Sequence, residues 1–307
     1  MITSIIFLLI GGFFLYLGAE WMVRGGSTLA GRMGISPLVV GLTVVAFGTS
    51  LPELMVSLVA TINNRESIAI GNVIGSNIAN VGLVLGLSSF IFPITVHYRA
   101  VARELWIYLG VALVFFCFCL NGMITRWEGV ILLSGILAYT WMHIKRPPED
   151  LEKPQQTTIT ISRSILLLLL GIAGLTLGAD FFVDGAVDLA TLLGISEVVI
   201  GMTIVALGTS LPELATSVVA AFRKESGISI GNIIGSNLFN ILSVIGVVSI
   251  IQPLEFDVSI NLIELPLMLV FGIVLFPIAK MRQPIPRLSA IILLSGYVSA
   301  MIWIFNR

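Results

Sequence analysis

An internal duplication is the feature that most constrains this chain. The stretch GLTVVAFGTSLPELMVSLVA at 41–60 returns as GMTIVALGTSLPELATSVVA at 201–220, with fourteen of twenty positions identical. A second pair, GNVIGSNIAN at 71–80 and GNIIGSNLFN at 231–240, keeps the same offset of 160 residues. The two halves of the chain are therefore expected to adopt related folds.

Composition indicates which kind of fold is duplicated. Of the 307 residues, 57% are hydrophobic and only 11% are charged, and the mean hydropathy is +1.06. A soluble domain usually carries about 25% charged residues. We predict an all-α membrane protein, because apolar runs long enough to cross about 30 Å of hydrocarbon recur throughout. The ten transmembrane helices are expected at 3–23, 36–60, 69–91, 104–121, 127–144, 164–183, 196–221, 229–251, 262–279 and 288–305.

The duplication divides these ten spans into two sets of five. Transmembrane repeat 1 covers 1–144 with its motif at 41–80, and transmembrane repeat 2 covers 164–307 with its motif at 201–240. Residues 145–163 form a polar linker. Because five is an odd number, repeat 2 must enter the membrane from the side opposite to repeat 1. This is an inverted-topology repeat, an architecture associated with alternating access.

The basic residues predict the orientation. With the N-terminus outside, thirteen of the sixteen Lys and Arg residues fall on the inner side, and only Arg65, Arg126 and Arg307 fall outside. The positive-inside rule therefore places both termini outside the cytoplasm and the 145–163 loop within it. The first apolar run lacks a basic leader region, so we expect it to be retained as a span.

The first repeated motif combines an acid with a helix break. A carboxylate such as Glu53 or Glu213 within a span costs about 2.5–3.5 kcal/mol and is a functional candidate by default. Pro52 and Pro212 each lack an N–H and displace the carbonyl four residues back, so the helix is expected to break at GTSLPE in both copies. Such a break frees carbonyls that a polar cavity or a cation can satisfy. Hydroxyls adjoin both acids, on Thr49, Ser50, Thr209 and Ser210.

The second repeated motif adds further oxygen ligands. Ser76 and Asn80 are four residues apart and share one helix face. All the candidate ligands are oxygens, which favours hard cations such as Ca²⁺ and Na⁺. The polar residues of the two motif copies are Asn72, Ser76, Asn77, Asn80, Asn232, Ser236, Asn237 and Asn240.

Some polar residues have simpler interpretations. A hydroxyl such as Ser57 or Ser217 can bond the preceding helical turn, and we favour that interpretation. Asp180, Asp184 and Asp188 recur every four residues near an outer helix end. They could attract cations, but we favour a solvated helix face.

The paired GTSLPEL and GNxIGSN motifs resemble the two alpha-repeats of the sodium/calcium exchanger family, in the cation/calcium antiporter superfamily. The similarity covers essentially the whole chain and is greatest to the short prokaryotic members. The resemblance implies that Glu53 and Glu213 bind Ca²⁺ and share in Na⁺ binding. It also implies ligands or lining groups at Thr49 and Thr209 (backbone carbonyls), Ser50, Ser210, Ser76, Ser236, Ala46 and Ala206 (carbonyls), and Asn80 and Asn240 at the centre.

Two departures from family patterns bear on the ion. Proton/calcium exchangers of the superfamily carry a Glu where this chain has Gly75 and Gly235, which disfavours proton coupling. Many members, including potassium-dependent ones, carry an Asp at the position of Asn240. Because both Asn80 and Asn240 are neutral here, K⁺ co-transport is not expected.

The sequence thus predicts an antiporter of the cell (inner) membrane that extrudes Ca²⁺ using Na⁺ entry. A Ca²⁺/H⁺ antiporter on the same fold is the first alternative, and a cation channel is the second. We expect no enzymatic activity and no cofactor. The expected partners are Na⁺, Ca²⁺ and the lipid bilayer, with no nucleic acid and no obligate protein partner.

Overall fold

The computed structural model describes residues 1–145, 159–195, 204, 206–281 and 283–305. Helices account for most of this part of the chain. The helices of the first half are α1 (Ile2–Met33), α2 (Pro37–Thr49), α3 (Leu51–Ile62), α4 (Glu66–Ile91), α5 (Tyr98–Cys119) and α6 (Arg126–Lys145). Those of the second half are α7 (Ile161–Leu192), α8 (Ala206–Gly208), α9 (Leu211–Phe222), α10 (Ser226–Ile251), α11 (Glu264–Lys280) and α12 (Arg287–Phe305).

Several of these helices can cross a membrane. In the described part of the chain, seven helices are long and apolar enough, and the bent pair α2–α3 makes an eighth candidate. Helix α6 lies where a further span was predicted, and α8 and α9 lie within predicted span 196–221, whose beginning falls outside the described residues. The chain is therefore a mostly helical, multi-pass membrane protein, while the count of ten stays a prediction. The 145–163 linker also stays a prediction, because residues 146–158 lie outside the described part of the chain.

Two predicted spans end too early. Span 3–23 corresponds to α1, which continues to Met33, and span 164–183 corresponds to α7, which continues to Leu192. These helices lie antiparallel and pack closely along their length. A Cβ on Gly18 would lie 2.5 Å from the backbone nitrogen of Leu175, so only glycine permits the approach there. Hydropathy marks the apolar run, whereas mutual packing extends both helices beyond it.

A pair of two-residue strands departs from the all-α prediction. β1 (Met123–Ile124) pairs antiparallel with β2 (Leu254–Glu255). Each strand follows a helix, β1 after α5 and β2 after α10, so the pairing joins the two halves of the chain. The segments are too short for an alternating pattern to be recognised in the sequence.

Helices α4 and α10 are the most buried of the candidate spans. Each contains a π-helical segment, at Asn80–Leu85 and at Asn240–Ile245. Local π-helical turns interrupt regular backbone hydrogen bonding and often accompany functional sites. Both segments begin at a candidate site residue, so the irregular backbone of the core lies beside the polar residues.

Candidate cation-binding site

Two buried carboxylates form the centre of the candidate site. Glu53 and Glu213 are 0% exposed, and each lies in the first turn of a helix, α3 or α9. The Ser76 hydroxyl donates to Glu53 Oε1 at 3.3 Å, and the Ser50 hydroxyl donates to Glu213 Oε1 at 3.2 Å. Among the described residues, Oε2 of each acid has no hydrogen-bond partner. Buried polar atoms are normally satisfied, so two open carboxylate oxygens point to a cationic ligand.

Two helix breaks position these acids, and both occur where the sequence predicted them. Helix α2 ends at Thr49, α3 begins at Leu51, and their axes differ by 41°. In the second copy, α8 ends at Gly208 and α9 begins at Leu211. Each proline falls in the first turn of the helix after the break, where its missing N–H is tolerated. The acid that follows is thereby held at the start of a helix inside the protein.

The serines of the site connect the two halves. Ser50 belongs to the first motif copy but contacts Glu213 of the second. The Ser210 hydroxyl donates to the Ser76 hydroxyl at 3.5 Å. Ser236 is 0% exposed, and its hydroxyl lies 3.2 Å from that of Thr49. The structure therefore combines both motif copies in a single site.

The central asparagines are also buried together. Asn80 and Asn240 are 0% exposed, and Asn80 Nδ2 donates to Asn237 Oδ1 at 3.1 Å. Within the described part of the chain, neither amide atom of Asn240 has a hydrogen-bond partner, nor does Asn80 Oδ1. These open polar atoms lie on the same two helices, α4 and α10, as Ser76 and Ser236.

The two alanines implied by the family resemblance contribute only backbone groups. The carbonyl of Ala46 accepts from the Ser50 amide at 3.0 Å and from the Thr49 hydroxyl at 3.3 Å. Ala206 is the first residue of α8, and its side chain lies outside the described residues. A cation at the Ala46 carbonyl would have to share that oxygen with these two donors.

Two further residues, Ser57 and Ser217, adjoin the candidate site, and both contact an asparagine that the second motif had already offered as a polar candidate. Asn72 Nδ2 donates to the Ser57 hydroxyl at 3.0 Å, and Asn232 Nδ2 donates to the Ser217 hydroxyl at 3.2 Å. Ser57 and Ser217 thus accept hydrogen bonds from another helix. We had expected each hydroxyl to bond only the preceding turn of its own helix. The recurrence of both pairs at the offset of 160 was the signal that could have found them.

A cavity reaches one side of the site. It has a volume of about 710 Å³ and lies between α3, α7 and the turn after α8. Asp180 and Asp184 line it, and so does Thr209, which is half-buried. The other lining residues are Leu51, Pro52, Met55, Val56, Thr176, Ala179, Val183 and Gly208. The two aspartates are exposed, as a solvated face requires, and they also line the cavity that ends at Thr209.

The equivalent region on the other side is packed. Helix α1 lies along α9, whereas its counterpart α7 barely contacts α3. Glu20, which corresponds to Asp180, forms an ion pair with Arg223. The Ser27 hydroxyl donates to Glu225 Oε1 at 2.7 Å, which also connects α1 to the segment between α9 and α10. The cavity therefore reaches the candidate site at Thr209 on one side, whereas the equivalent region on the other side is closed.

The chemistry of the site is that of oxygen ligands. The residues described contain no cluster of three or more His, Cys, Asp or Glu side chains. The donor set instead consists of two carboxylates with hydroxyl, amide and carbonyl oxygens, which suits hard cations. Two like charges buried together repel each other, so a bound cation would lower the electrostatic free energy of the two carboxylates.

Comparison with known sequences agrees with this chemistry. The family described as "Sodium/calcium exchanger protein" matches residues 3–145 and 163–306, nearly the whole chain. The chain belongs to the sodium/calcium exchanger family. The resemblance inferred from the repeated motifs is therefore confirmed.

Individual members of the family are similar over their full length. The putative antiporter CaxA of Alkalimonas amylolytica is 35% identical, and the alignment covers 100% of both chains. The sodium/calcium exchanger MaX1 of Methanosarcina acetivorans is 32% identical, with 99% of each chain covered. A solved structure of the sodium-calcium exchanger NCX_Mj, soaked with 10 mM Na⁺ and zero Ca²⁺, is 36% identical with a TM-score of 0.86 and covers 98% of both chains. These family members are named as antiporters or exchangers, not as enzymes.

Proposed function

We propose that this protein is a secondary active antiporter that exchanges Na⁺ for Ca²⁺ by alternating access. The observation that carries the proposal is the pair of fully buried acids, Glu53 and Glu213, each with one carboxylate oxygen that has no partner among the described residues. One Ca²⁺ neutralises the pair, and several Na⁺ can occupy overlapping oxygen sites. The two ions then compete, which is the basis of exchange. The names of the similar family members support the same substrates.

The proposed ligands are those implied by the family resemblance. The two acids bind Ca²⁺ and share in Na⁺ binding, and Asn80 and Asn240 line the centre. The remaining proposed ligands are the hydroxyls of Ser50, Ser76, Ser210 and Ser236 and the carbonyls of Thr49, Thr209, Ala46 and Ala206. An empty carrier does not reorient, because moving two uncompensated carboxylates through a closed state is costly. Ion binding on one side therefore drives release on the other.

The proposed architecture is ten spans in two inverted repeats. Helix α1 and its sequence counterpart α7 run antiparallel, as counterparts in inverted repeats must. In the proposed orientation both termini lie outside and the 145–163 loop is cytoplasmic. The cavity lined by Asp180 and Asp184 then opens to the outside, and the Glu20–Arg223 ion pair lies toward the cytoplasm.

The decisive test is transport by the purified protein in proteoliposomes. An imposed Na⁺ gradient at fixed pH is expected to drive ⁴⁵Ca²⁺ uptake, while a pH gradient or a K⁺ gradient alone does not. Uptake driven only by the pH gradient would identify a Ca²⁺/H⁺ antiporter. Conductance without stoichiometric exchange would identify a channel.

The same vesicles test the expected stoichiometry. With two acids in the site, exchange of three Na⁺ for one Ca²⁺ moves one net charge in each cycle. That charge is worth about 2.3 kcal/mol per 100 mV, so an imposed potential is expected to change the flux. If the flux does not change with the potential, the remaining stoichiometry is the electroneutral exchange of two Na⁺ for one Ca²⁺.

Orientation is tested separately by thiol labelling. A cysteine at Gln155, in a background lacking Cys117 and Cys119, is expected to resist an impermeant reagent added to intact cells. Rapid labelling there would reverse the proposed topology.

A further inference from the structure

Two asparagines, one in each copy of the GN motif, contact the helix that carries the acid of their own repeat. Asn72 Nδ2 donates to the backbone carbonyl of Glu53 at 3.1 Å, in addition to its bond to Ser57. Asn232 Nδ2 donates to the backbone carbonyl of Glu213 at 3.5 Å. Each amide thus uses its donor group to fix the first turn after the helix break.

The acceptor oxygen of each asparagine reaches the opposite repeat. The Thr49 hydroxyl donates to Asn232 Oδ1 at 3.0 Å, and the Thr209 hydroxyl donates to Asn72 Oδ1 at 3.5 Å. A primary amide has both donors and an acceptor, so one side chain can join the acid-bearing turn of its own repeat to the threonine of the other. The arrangement occurs twice, with the roles of the repeats exchanged.

The threonine ends of the two bridges differ in the same sense as access to the site. Thr49 is fully buried, and its hydroxyl also lies 3.2 Å from that of Ser236. Thr209 is half-buried and lines the open cavity, and its bond to Asn72 is the longer one. The threonine–asparagine bond is therefore the shorter one on the closed side, whereas the bond from the asparagine to the carbonyl of the acid is the shorter one on the open side.

We propose that Asn72 and Asn232 are positioning residues that couple the two halves of the site. They are not ion ligands in this proposal. Each bridge transmits the position of the acid-bearing turn in one repeat to the threonine of the other, so the carrier reorients only when both halves are loaded. The inference deepens the proposed antiport function and rests on it.

Leak of Ca²⁺ through the protein distinguishes a role in coupling the two halves of the site from a role in folding alone. Asn232→Ala removes a whole bridge, and Thr49→Val removes only the hydroxyl while keeping the shape and backbone carbonyl of residue 49. Proteoliposomes loaded with ⁴⁵Ca²⁺ are diluted into medium free of both Na⁺ and Ca²⁺. The wild-type protein is expected to retain Ca²⁺, and both variants are expected to release it. The apparent KM for Na⁺ in exchange should also rise by about 3- to 10-fold, the factor that corresponds to one neutral hydrogen bond.

A double variant tests whether the two residues act through one contact. Asn232→Ala combined with Thr49→Val should leak no faster than Asn232→Ala alone, because the bridge is already absent. The exposed Asn63→Ala is the control and should retain Ca²⁺. Variants that exchange slowly but never leak would overturn the coupling role and leave only a structural one. Failure of the proposed function is distinct, since the wild-type protein itself would then lack Na⁺-dependent Ca²⁺ flux.

Discussion

Thr49 and Thr209 occupy equivalent positions in the two repeats, yet their surroundings differ. Around Thr49 the structure is closed, because α1 packs along α9 and Glu20 pairs with Arg223. Around Thr209 it is open, and the 710 Å³ cavity separates α7 from α3. The candidate site residues are of the same types in both repeats, but their contacts differ, because Ser50 donates to Glu213 whereas Ser210 donates to Ser76. The two sides of the candidate site therefore differ in access and in local contacts, although both motif copies supply the same polar residue types.

Substitution of the two acids is expected to give the largest effect, and it tests whether the two repeats contribute equally to transport. Since Glu53 and Glu213 are equally buried, Glu53→Gln and Glu213→Gln are both expected to reduce Na⁺-driven ⁴⁵Ca²⁺ uptake more than about 100-fold. Each variant removes one of the two carboxylates proposed to bind Ca²⁺, and the loss of one partner from a buried charged interaction costs roughly 3–5 kcal/mol. Thermal stability without Ca²⁺ should not fall, because each change removes a buried charge.

Glu255→Gln is the matched control, because Glu255 is exposed and lies outside the site. It should transport at the wild-type rate. Substantial Ca²⁺ uptake in one of the two site variants would show that the difference between the open and closed sides extends to the acids themselves.

The cavity aspartates provide a smaller test, restricted to the open side. Asp180→Asn combined with Asp184→Asn should weaken the apparent Ca²⁺ affinity measured from the cavity side by up to about tenfold at low ionic strength. Acids in a cleft raise the local concentration of cations, and salt screens this effect. The measurement is the Ca²⁺ concentration dependence of uptake at two ionic strengths.

Asp188→Asn is the control, since Asp188 is exposed on the same helix but does not line the cavity. A double variant with unchanged affinity would mean that Asp180 and Asp184 form only a solvated face, as the sequence first indicated.

Much of this site followed from local sequence rules. Apolar length predicted where the helices lie, and Pro52 and Pro212 predicted the two breaks, because both signals act through neighbouring residues. The positions of Glu53 and Glu213 in one buried centre agree with their equivalent places in the duplication. These features require no knowledge of how distant helices pack.

The remaining features depend on contacts between distant residues. The bonds from Asn72 to Glu53 and Thr209 could not be assigned, because an amide side chain has many possible partners. Helices α1 and α7 extend beyond their apolar runs through packing against each other, which hydropathy does not report. The duplication also predicts two equivalent sides, so it carries no information about which side is closed.

The ion pair on the closed side gives the smallest expected effect. The Arg223 side chain is 40% exposed and that of Glu20 is 17% exposed, and such pairs contribute about 0.2–1 kcal/mol. Arg223→Gln should destabilise closure on that side and reduce the fraction of molecules with the cavity open, by less than about fivefold. The readout is the labelling rate of a cysteine at Val56, which lines the cavity, in a background lacking Cys117 and Cys119.

Two variants sharpen this last measurement. Lys224→Gln removes a neighbouring charge outside the Glu20–Arg223 pair and should leave the labelling rate unchanged. Exchanging the charges, with Glu20→Arg and Arg223→Glu together, should restore the wild-type rate, because the attraction between α1 and the end of α9 is recovered. If Arg223→Gln labels as fast as the wild type, the ion pair does not hold this side closed. Closure would then depend on the apolar contact between α1 and α9, which includes the buried Met22 and the partly buried Leu211.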